Sequence, residues 1–443
     1  MRVIIIGGTA AGMSVAAKLR RINKEAEIVI YEKRDYISFG ACGLPYYVGN
    51  FFESTDTMIA RTKEQAISSG IDVLTKHEII SIDVNKKIVI AKNLLTGEEV
   101  SDNYDKLMIA TGASPIIPPI KNVKLKNVFT LHSMEDGIAL KKAMENPQLK
   151  KLAIIGAGFI GLELVEAAKQ YGKEICIFQR EDRILNIAFD KEVTDILEEE
   201  LSNHNIALYT NLTVTELRGS EKVESVVAGN KTFEADIVVL ATGVRPSTEF
   251  ISNTGIKMSE NGAIIVDNKG ETSVKNIYSA GDCAIVPHML KGNSYIPLAT
   301  SANKLGRIVG ENLGGLDSKY QLILGSSCIK VLDMEAGRTG LNEEEAKKLG
   351  INYKAKFISD MNQTDYYPGQ EKIYVKLIYD KDSKVILGGQ VVGKKDAVQR
   401  VNVLATAIYN KMTTTELGML DLCYAPPFAR TWDVLNVAGN VSK

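Results

Sequence analysis

Cys42 lies in the stretch Tyr36-Ile37-Ser38-Phe39-Gly40-Ala41-Cys42-Gly43-Leu44-Pro45-Tyr46-Tyr47, among glycines and polar residues. A lone cysteine ordinarily fills core. One that follows a nucleotide-binding pattern and has no disulfide partner nearby is instead a candidate nucleophile, provided that its surroundings lower its pKa. The other cysteines are Cys176, Cys283, Cys328 and Cys423. An odd total, with no C-x-x-C or C-x4-C spacing, argues against a disulfide framework and against a zinc site, and no metal is expected. Reduced thiols suit a cytosol, so a cytoplasmic location is expected.

Two glycine-rich turns could hold the phosphates of dinucleotides. The first follows strand Val3 to Ile6 as Gly7-Gly8-Thr9-Ala10-Ala11-Gly12, leads into a helix to about Ile22, and is followed by strand Ile28 to Tyr31 ending at Glu32. Glycines permit the tight turn and close helix packing, the first helical amides face a pyrophosphate, and Glu32 is spaced to bond a ribose hydroxyl. Thr9 replaces the middle glycine. The second turn runs from strand Leu152 to Ile155 through Gly156-Ala157-Gly158-Phe159-Ile160-Gly161 into a helix to about Tyr171, then strand Ile175 to Phe178. All three glycines are present. Its second strand ends in Gln179-Arg180, with Arg183 following; an acid there favours an unphosphorylated ribose, whereas arginine admits a 2′-phosphate. The pattern leans toward NADPH and leaves NADH open through Gln179. Ala110-Thr111-Gly112 recurs as Ala241-Thr242-Gly243, which indicates two copies of one plan.

On the first helix Ser14, Lys18 and Arg21 share a face, read either as solvated or as a site for phosphates near the Cys42 loop. The stretch Ile71 to Val100 reads as strands with a hairpin at Thr96-Gly97. A short strand closes on Gly281-Asp282, and Pro297-Leu298-Ala299-Thr300 opens a helix through Asn303 and Arg307 to about Leu313. From about Leu322 the texture changes to alternating strands, Ser327 to Leu332, Ile373 to Tyr379 and Val385 to Val392, with helices Val398 to Lys411 and Thr431 to Val441. This α+β unit carries two polar, aromatic loops, one with Tyr366-Tyr367 and one with Cys423-Tyr424. Cys423 is read as core filler rather than as a resolving thiol.

The length of 443 residues allows roughly three domains. Lys plus Arg at 53 nearly balances Asp plus Glu at 54, so the composition asks for no nucleic acid partner. The N-terminal apolar run Val3 to Ile6 is too short for a signal peptide, and no run long enough to span a membrane occurs.

Both fingerprints, both Ala-Thr-Gly turns, Ile277-Tyr278-Ser279-Ala280-Gly281-Asp282 and the C-terminal unit together resemble, over essentially the whole chain, the FAD- and pyridine-nucleotide-dependent disulfide oxidoreductases. The resemblance implies an α/β fold of two Rossmann-like dinucleotide-binding domains, for FAD and NAD(P), plus a C-terminal α+β dimerisation domain. The implied bounds are 1–114 with 247–320 for FAD, 115–246 for NAD(P)H and 321–443 for dimerisation. It implies that Gly7, Gly12, Glu32, Lys33, Thr111, Gly112, Asp282 and Ala299 serve FAD, with Asp282 at the ribityl chain. Gly156, Gly158, Gly161, Gln179, Arg180 and Gly243 would serve NAD(P)H.

Most disulfide reductases of this superfamily carry C-x4-C, but the position of a second cysteine is Tyr47. Ser38-Phe39-Gly40-Ala41-Cys42 is similar to the single-cysteine branch, which holds coenzyme A disulfide reductases and NADH oxidases and peroxidases. The latter place a histidine in the first glycine turn, where this chain has Ala10, and the tyrosine loops are similar to the reductases. The resemblance therefore implies that FAD passes electrons from NADPH or NADH to a Cys42 mixed disulfide with coenzyme A. Coenzyme A disulfide would be the substrate, with Ser14, Lys18, Arg21, Ser38, Phe39, Asn303 and Arg307 as substrate contacts. Tyr366, Tyr367 and Tyr424 would act in trans across a homodimer, and a helix N-terminus or a nearby cation would favour the Cys42 thiolate. Rival expectations are an NADH oxidase or peroxidase cycling a Cys42 sulfenic acid, and a flavin electron carrier to a protein partner. The lack of a sulfurtransferase-like segment after Lys443 makes a dedicated persulfide role less expected.

Overall fold

The computed structural model describes residues 1–443 and divides into two compact units. The first unit comprises Met1–Leu44, Glu53–Ile116 and Val244–Ile323. Its centre is a five-stranded parallel sheet in the order Ile277–Ser279, Lys106–Ile109, Arg2–Ile6, Glu27–Glu32, Asp72–Thr75. The run Val3 to Ile6 is buried throughout, as a central parallel strand covered on both faces must be. Helix Ala10–Ile22 crosses helix Ala299–Leu313 at close range because the latter offers glycine at the crossing. A Cβ on Gly306 would come within 2.8 Å of the Ala11 carbonyl oxygen, and one on Gly310 within 2.8 Å of that of Val15. Strands His77–Asp83, Ile88–Asn93 and Glu99–Asn103 form a separate antiparallel sheet, with the hairpin closed at Gly97, φ +80°.

The second unit comprises Pro45–Phe52, Ile117–Gly243 and Leu324–Lys443. It repeats the plan of the first with a parallel sheet in the order Ala207–Tyr209, Glu174–Phe178, Lys151–Ile155, Ile237–Leu240, Val128–Phe129. The same unit holds an antiparallel five-stranded sheet, Ser327–Val331, Met334–Gly340, Ile386–Gly393, Lys372–Asp380, Tyr353–Met361, packed against helices Ala397–Tyr409 and Val434–Val441. Lys376, on that sheet and 1 % exposed, bonds Glu192 at 2.6 Å, lies 3.5 Å from Asp190 and pairs with Glu343. Removing any of these carboxylates leaves a buried charge less compensated, which makes the cluster costly to break. Two dinucleotide-type parallel sheets and a C-terminal α+β portion are the fold that the sequence pattern implies. No helix is long and apolar enough to cross a membrane.

Candidate active site

The first glycine turn works because side chains are absent. Gly7, at φ +101°, would push a Cβ to 2.3 Å from the Ala110 carbonyl oxygen, and a Cβ on Gly12 would lie 1.9 Å from that of Gly7. Glu32 is buried and locked by backbone donors: Gly8 N–H at 2.7 Å and Arg34 N–H at 2.9 Å. Thr9 precedes helix Ala10–Ile22 without capping it, so the first helical amides remain for a ligand. By contrast helices Lys63–Ser68, Met134–Glu145, Glu343–Lys348 and Val434–Val441 all close with a capping box.

Asp282 approaches the same turn, because Gly281 (φ +88°) packs against Ala11, 3.1 Å from where its Cβ would stand. Burial alone raises the Asp282 carboxyl above the usual carboxylate range, and no protein donor reaches it. A part-buried carboxylate with no protein partner is suited to a ligand's hydroxyls. Thr111 Oγ1 donates to the Ser247 carbonyl at 2.8 Å, and Ser114 and Ser247 hydroxyls lie 2.6 Å apart. Ser247 has no motif around it, and sequence reasoning passed over it. Lys33 is exposed, 4.0 Å from Glu78, and Ala299 is exposed at the start of its uncapped helix.

The Cys42 turn is stitched to this site within the first unit. Ser38, at φ +50°, donates its N–H to the Gly8 carbonyl at 2.8 Å, Ala60 N–H reaches the Ser38 carbonyl at 3.0 Å, and Gly40 N–H reaches Met58 at 2.8 Å. Phe39 is buried with its ring 4.9 Å from that of Tyr36. Cys42 then stands exposed on the 3-10 turn Ala41–Gly43. The helix that follows, Leu44–Val48, is only 5 residues long, too short for the thiolate to rely on its dipole. Tyr47 is buried, 8 % exposed, at the position of a second redox cysteine.

Four of the five helix residues expected to contact substrate gather where the two helices of the first unit cross. Ser14 Oγ donates to Asn303 Oδ1 at 2.7 Å, and Glu311 pairs with Lys18 at 2.9 Å and Arg307 at 3.4 Å. Lys18 therefore spends its charge on Glu311, an acid the sequence reading did not weigh. Arg21 is exposed.

In the second unit Gly156 (φ +106°) would bring a Cβ to 2.3 Å from the Ala241 carbonyl oxygen, and Gly161 to 2.1 Å from that of Gly156. Gly158 caps its helix with no side chain, and nothing lies within 4 Å of where its Cβ would be, an open approach for phosphates. Gln179 Oε1 accepts the Ala157 N–H at 3.0 Å. Arg180 is exposed and bonded to Glu181 at 2.7 and 2.9 Å, while Arg183 reaches Asp182 and the Asn186 carbonyl. Gly243 takes φ +99°.

Tyr366 and Tyr424 hydroxyls lie 3.0 Å apart, and that bond holds the Tyr366 phenol above its ordinary value. Tyr367 instead contributes its backbone carbonyl to Gln363 Nε2. Buried Arg400 organises both loops: it pairs with Asp433 at 2.8 Å and donates to the carbonyls of Asn362 and Phe428. An arginine on the buried face of an otherwise apolar helix was the one signal that could have found it. Cys423 is exposed on the loop between helices Thr414–Gly418 and Val434–Val441, so the expectation of core filler is corrected.

Residues 1–306 match the family described as pyridine nucleotide-disulphide oxidoreductase, and residues 326–434 match its dimerisation domain. The NAD(P)H coenzyme A polysulfide/persulfide reductase of Pyrococcus horikoshii is 38 % identical over 444 residues, covering 100 % of this chain and 98 % of that protein. An NADH oxidase of Enterococcus faecalis is 36 % identical, covering 99 % of this chain and 98 % of its own. Among solved structures, reduced CoADR-RHD of Bacillus anthracis superposes with a TM-score of 0.96 at 33 % identity, covering 100 % of this chain and 80 % of that one.

Proposed function

The chain belongs to the pyridine nucleotide-disulphide oxidoreductase family, and on that footing we propose that it reduces coenzyme A disulfide with NAD(P)H through a Cys42–coenzyme A mixed disulfide. The observation that carries the reading is an exposed Cys42 whose would-be protein partner is a buried tyrosine, Tyr47, so the second sulfur must come from substrate. Gly7, Gly12, Glu32 and the unpartnered Asp282 carboxylate fit FAD; Gly156, Gly158 and Gly161 fit NAD(P)H. We assign 1–114 with 247–320 to FAD, 115–246 to NAD(P)H and 321–443 to homodimer formation. Bound FAD supplies the two-electron relay between NAD(P)H and the sulfur of Cys42.

Cys42 Sγ, as thiolate, attacks one sulfur of the substrate; that S–S bond breaks, a new one forms to Sγ, and one coenzyme A thiolate leaves. Two electrons from NAD(P)H then break the new bond, releasing the second coenzyme A and restoring the thiolate. The sum is NAD(P)H, a proton and one disulfide giving NAD(P)+ and two thiols. Arg21, Lys18 and Arg307, the last two sharing the one carboxylate of Glu311, are the cations for substrate phosphates. Tyr366 and Tyr424 of the partner subunit stabilise the departing thiolate; the raised Tyr366 phenol keeps its proton and serves as a hydrogen-bond donor rather than a fast acid. Ser38 and Phe39 hold the turn.

Intact mass of the holoenzyme under non-reducing conditions tests this. The expected result is an adduct of coenzyme A mass that thiols remove and Cys42→Ser lacks. Its absence after incubation with coenzyme A disulfide, together with NADH consumption that needs oxygen, sinks the reading. A second reading, reduction of a coenzyme A persulfide or polysulfide, is favoured by the Pyrococcus relative of matching length. Anaerobic sulfide release from such substrates at a higher kcat/KM than thiol release from the disulfide would establish it.

A further inference from the structure

The chain passes from the first unit to the second within three residues of Cys42, and the segment Pro45–Phe52 is seated on the second unit. Tyr171 Oη donates to the Val48 carbonyl at 2.9 Å. Lys141 Nζ donates to Asn50 Oδ1 at 2.8 Å and lies 4.5 Å over the Tyr47 ring. Gly49 sits so close to Ala167 that a Cβ would come within 3.0 Å of its Cα. A further contact joins Tyr46 Oη to Glu163 Oε1 at 3.4 Å. Glu163 stands on helix Phe159–Gln170, two residues past Gly161 and thus on the first turns after the second glycine loop.

We propose that Tyr46 and Glu163 form a proton-sensitive clasp, with Glu163 a positioning residue that acts on the Cys42 turn through Tyr46 and the short helix Leu44–Val48. The inference rests on Cys42 being the reacting thiol. Burial pushes the Glu163 carboxyl up to about 7 and the Tyr46 phenol to about 12, so near neutrality the acid changes charge while the phenol keeps its proton. A phenol donating to a carboxylate makes a bond roughly twice as strong as one donating to a neutral acid. The clasp therefore tightens as pH rises through about 7. The Val48 contact, made to a backbone carbonyl, is indifferent to that change, because burial holds the Tyr171 phenol above its already high ordinary value.

The other charged and titratable groups around the pair do not supply the effect. Glu166, on the same helix, is bonded to Lys330 at 2.5 Å, and Lys330 stands on strand Ser327–Val331 with Cys328. Burial, Glu163 and Glu335 raise the Cys328 thiol, which keeps it neutral at pH 7. Among protein groups only Tyr46 opposes the effect of burial on Glu163. The device has a cost in stability with a definite sign. A raised carboxyl contributes stability that is present below its ordinary value and lost as pH rises through about 7. Clasp strength and global stability thus move in opposite directions with pH.

Alkylation of Cys42 by iodoacetamide in the FAD-loaded enzyme, followed from about pH 5.5 to 8.5, reads the clasp without any disulfide substrate. Wild type is expected to show an inflection near 7 besides that of the thiol itself. Glu163→Gln should remove that inflection, with a change of roughly fivefold in rate at the alkaline end. Tyr46→Phe, which lacks the hydroxyl that carries the clasp, should remove it as well, and Glu163→Asp should restore a titrating step. Melting temperatures give a second readout: the advantage of Glu163→Gln over wild type should grow between about pH 5 and 8. Profiles of Glu163→Gln and Tyr46→Phe that superimpose on wild type, in protein that retains its flavin, overturn the inference. If either variant fails to fold, Glu163→Asp alone decides by the position of its inflection. A coenzyme A adduct with alkylation that shows only the thiol's own inflection leaves the proposed function standing and removes the clasp; no adduct with the second inflection present does the opposite.

Discussion

Gly7 and Gly156 each end a central parallel strand at nearly the same left-handed φ, +101° and +106°, and each would drive a Cβ to 2.3 Å from a carbonyl oxygen of the neighbouring strand end. Their helices begin on Gly12 and Gly161 turns equally intolerant of a side chain, at 1.9 and 2.1 Å. The two units therefore use one piece of backbone twice. They part at the residue that closes the second strand. Glu32 uses both oxygens on backbone donors, at 2.7 and 2.9 Å, whereas Gln179 meets Ala157 N–H with its single amide oxygen at 3.0 Å. Because an N–H can only donate, the Gln179 NH2 group remains a donor. An acidic acceptor belongs to one site and a neutral donor to the other. On the proposed assignment, backbone sterics would set where the phosphates lie and one side-chain group would set which ribose is accepted.

The hardest test of the shared backbone is to add one methyl to each turn. Gly156→Ala should leave FAD bound while lowering reduction by NAD(P)H roughly a hundredfold, the consequence of about 1–3 kcal/mol of strain plus the clash. Gly7→Ala should instead purify with little flavin. Flavin absorbance and anaerobic reduction separate these outcomes, and equal loss of flavin in both variants would break the comparison.

Sharpening the difference at the strand ends takes a smaller change. Gln179→Glu places a negative charge where the amide donor stood, so the ratio of kcat/KM for NADPH over NADH should fall roughly tenfold or more. A ratio unchanged by that substitution would mean that Arg180 and Arg183 alone set the preference.

The smallest effect concerns Asp282, which attends the first turn. Its raised carboxyl contributes stability that is present below its ordinary value and is lost as pH rises through the raised one. Asp282→Asn should therefore weaken flavin retention yet raise the melting temperature of the flavin-free protein at neutral pH by about 1–2 °C. The gain should vanish at acid pH; a gain that persists there points to packing instead.

Local rules carried the glycine turns, Glu32, Gln179 and the boundaries of the parallel strands, since each depends on residues within one βαβ unit. The Cys42 stretch was legible in type but not in placement. Nothing in the spacing shows that Ser38 bonds Gly8, that Lys18 is claimed by Glu311, or that Tyr366 rather than Tyr367 meets Tyr424. Arg400 decides the last of these by gathering two loop carbonyls and Asp433 from three separate segments.

The sequence by itself determined that two dinucleotide turns flank a solitary cysteine with a tyrosine in place of its partner, because those features are read from residues near each other in the chain. Only the tertiary structure decided that Asp282 carries an unpartnered, part-buried carboxylate, that Cys423 is exposed, and that Tyr46 is fastened to Glu163 across 117 positions of sequence. Burial and hydrogen-bond partners depend on which distant segments pack together, and irregular loops carry no periodicity from which that packing can be read.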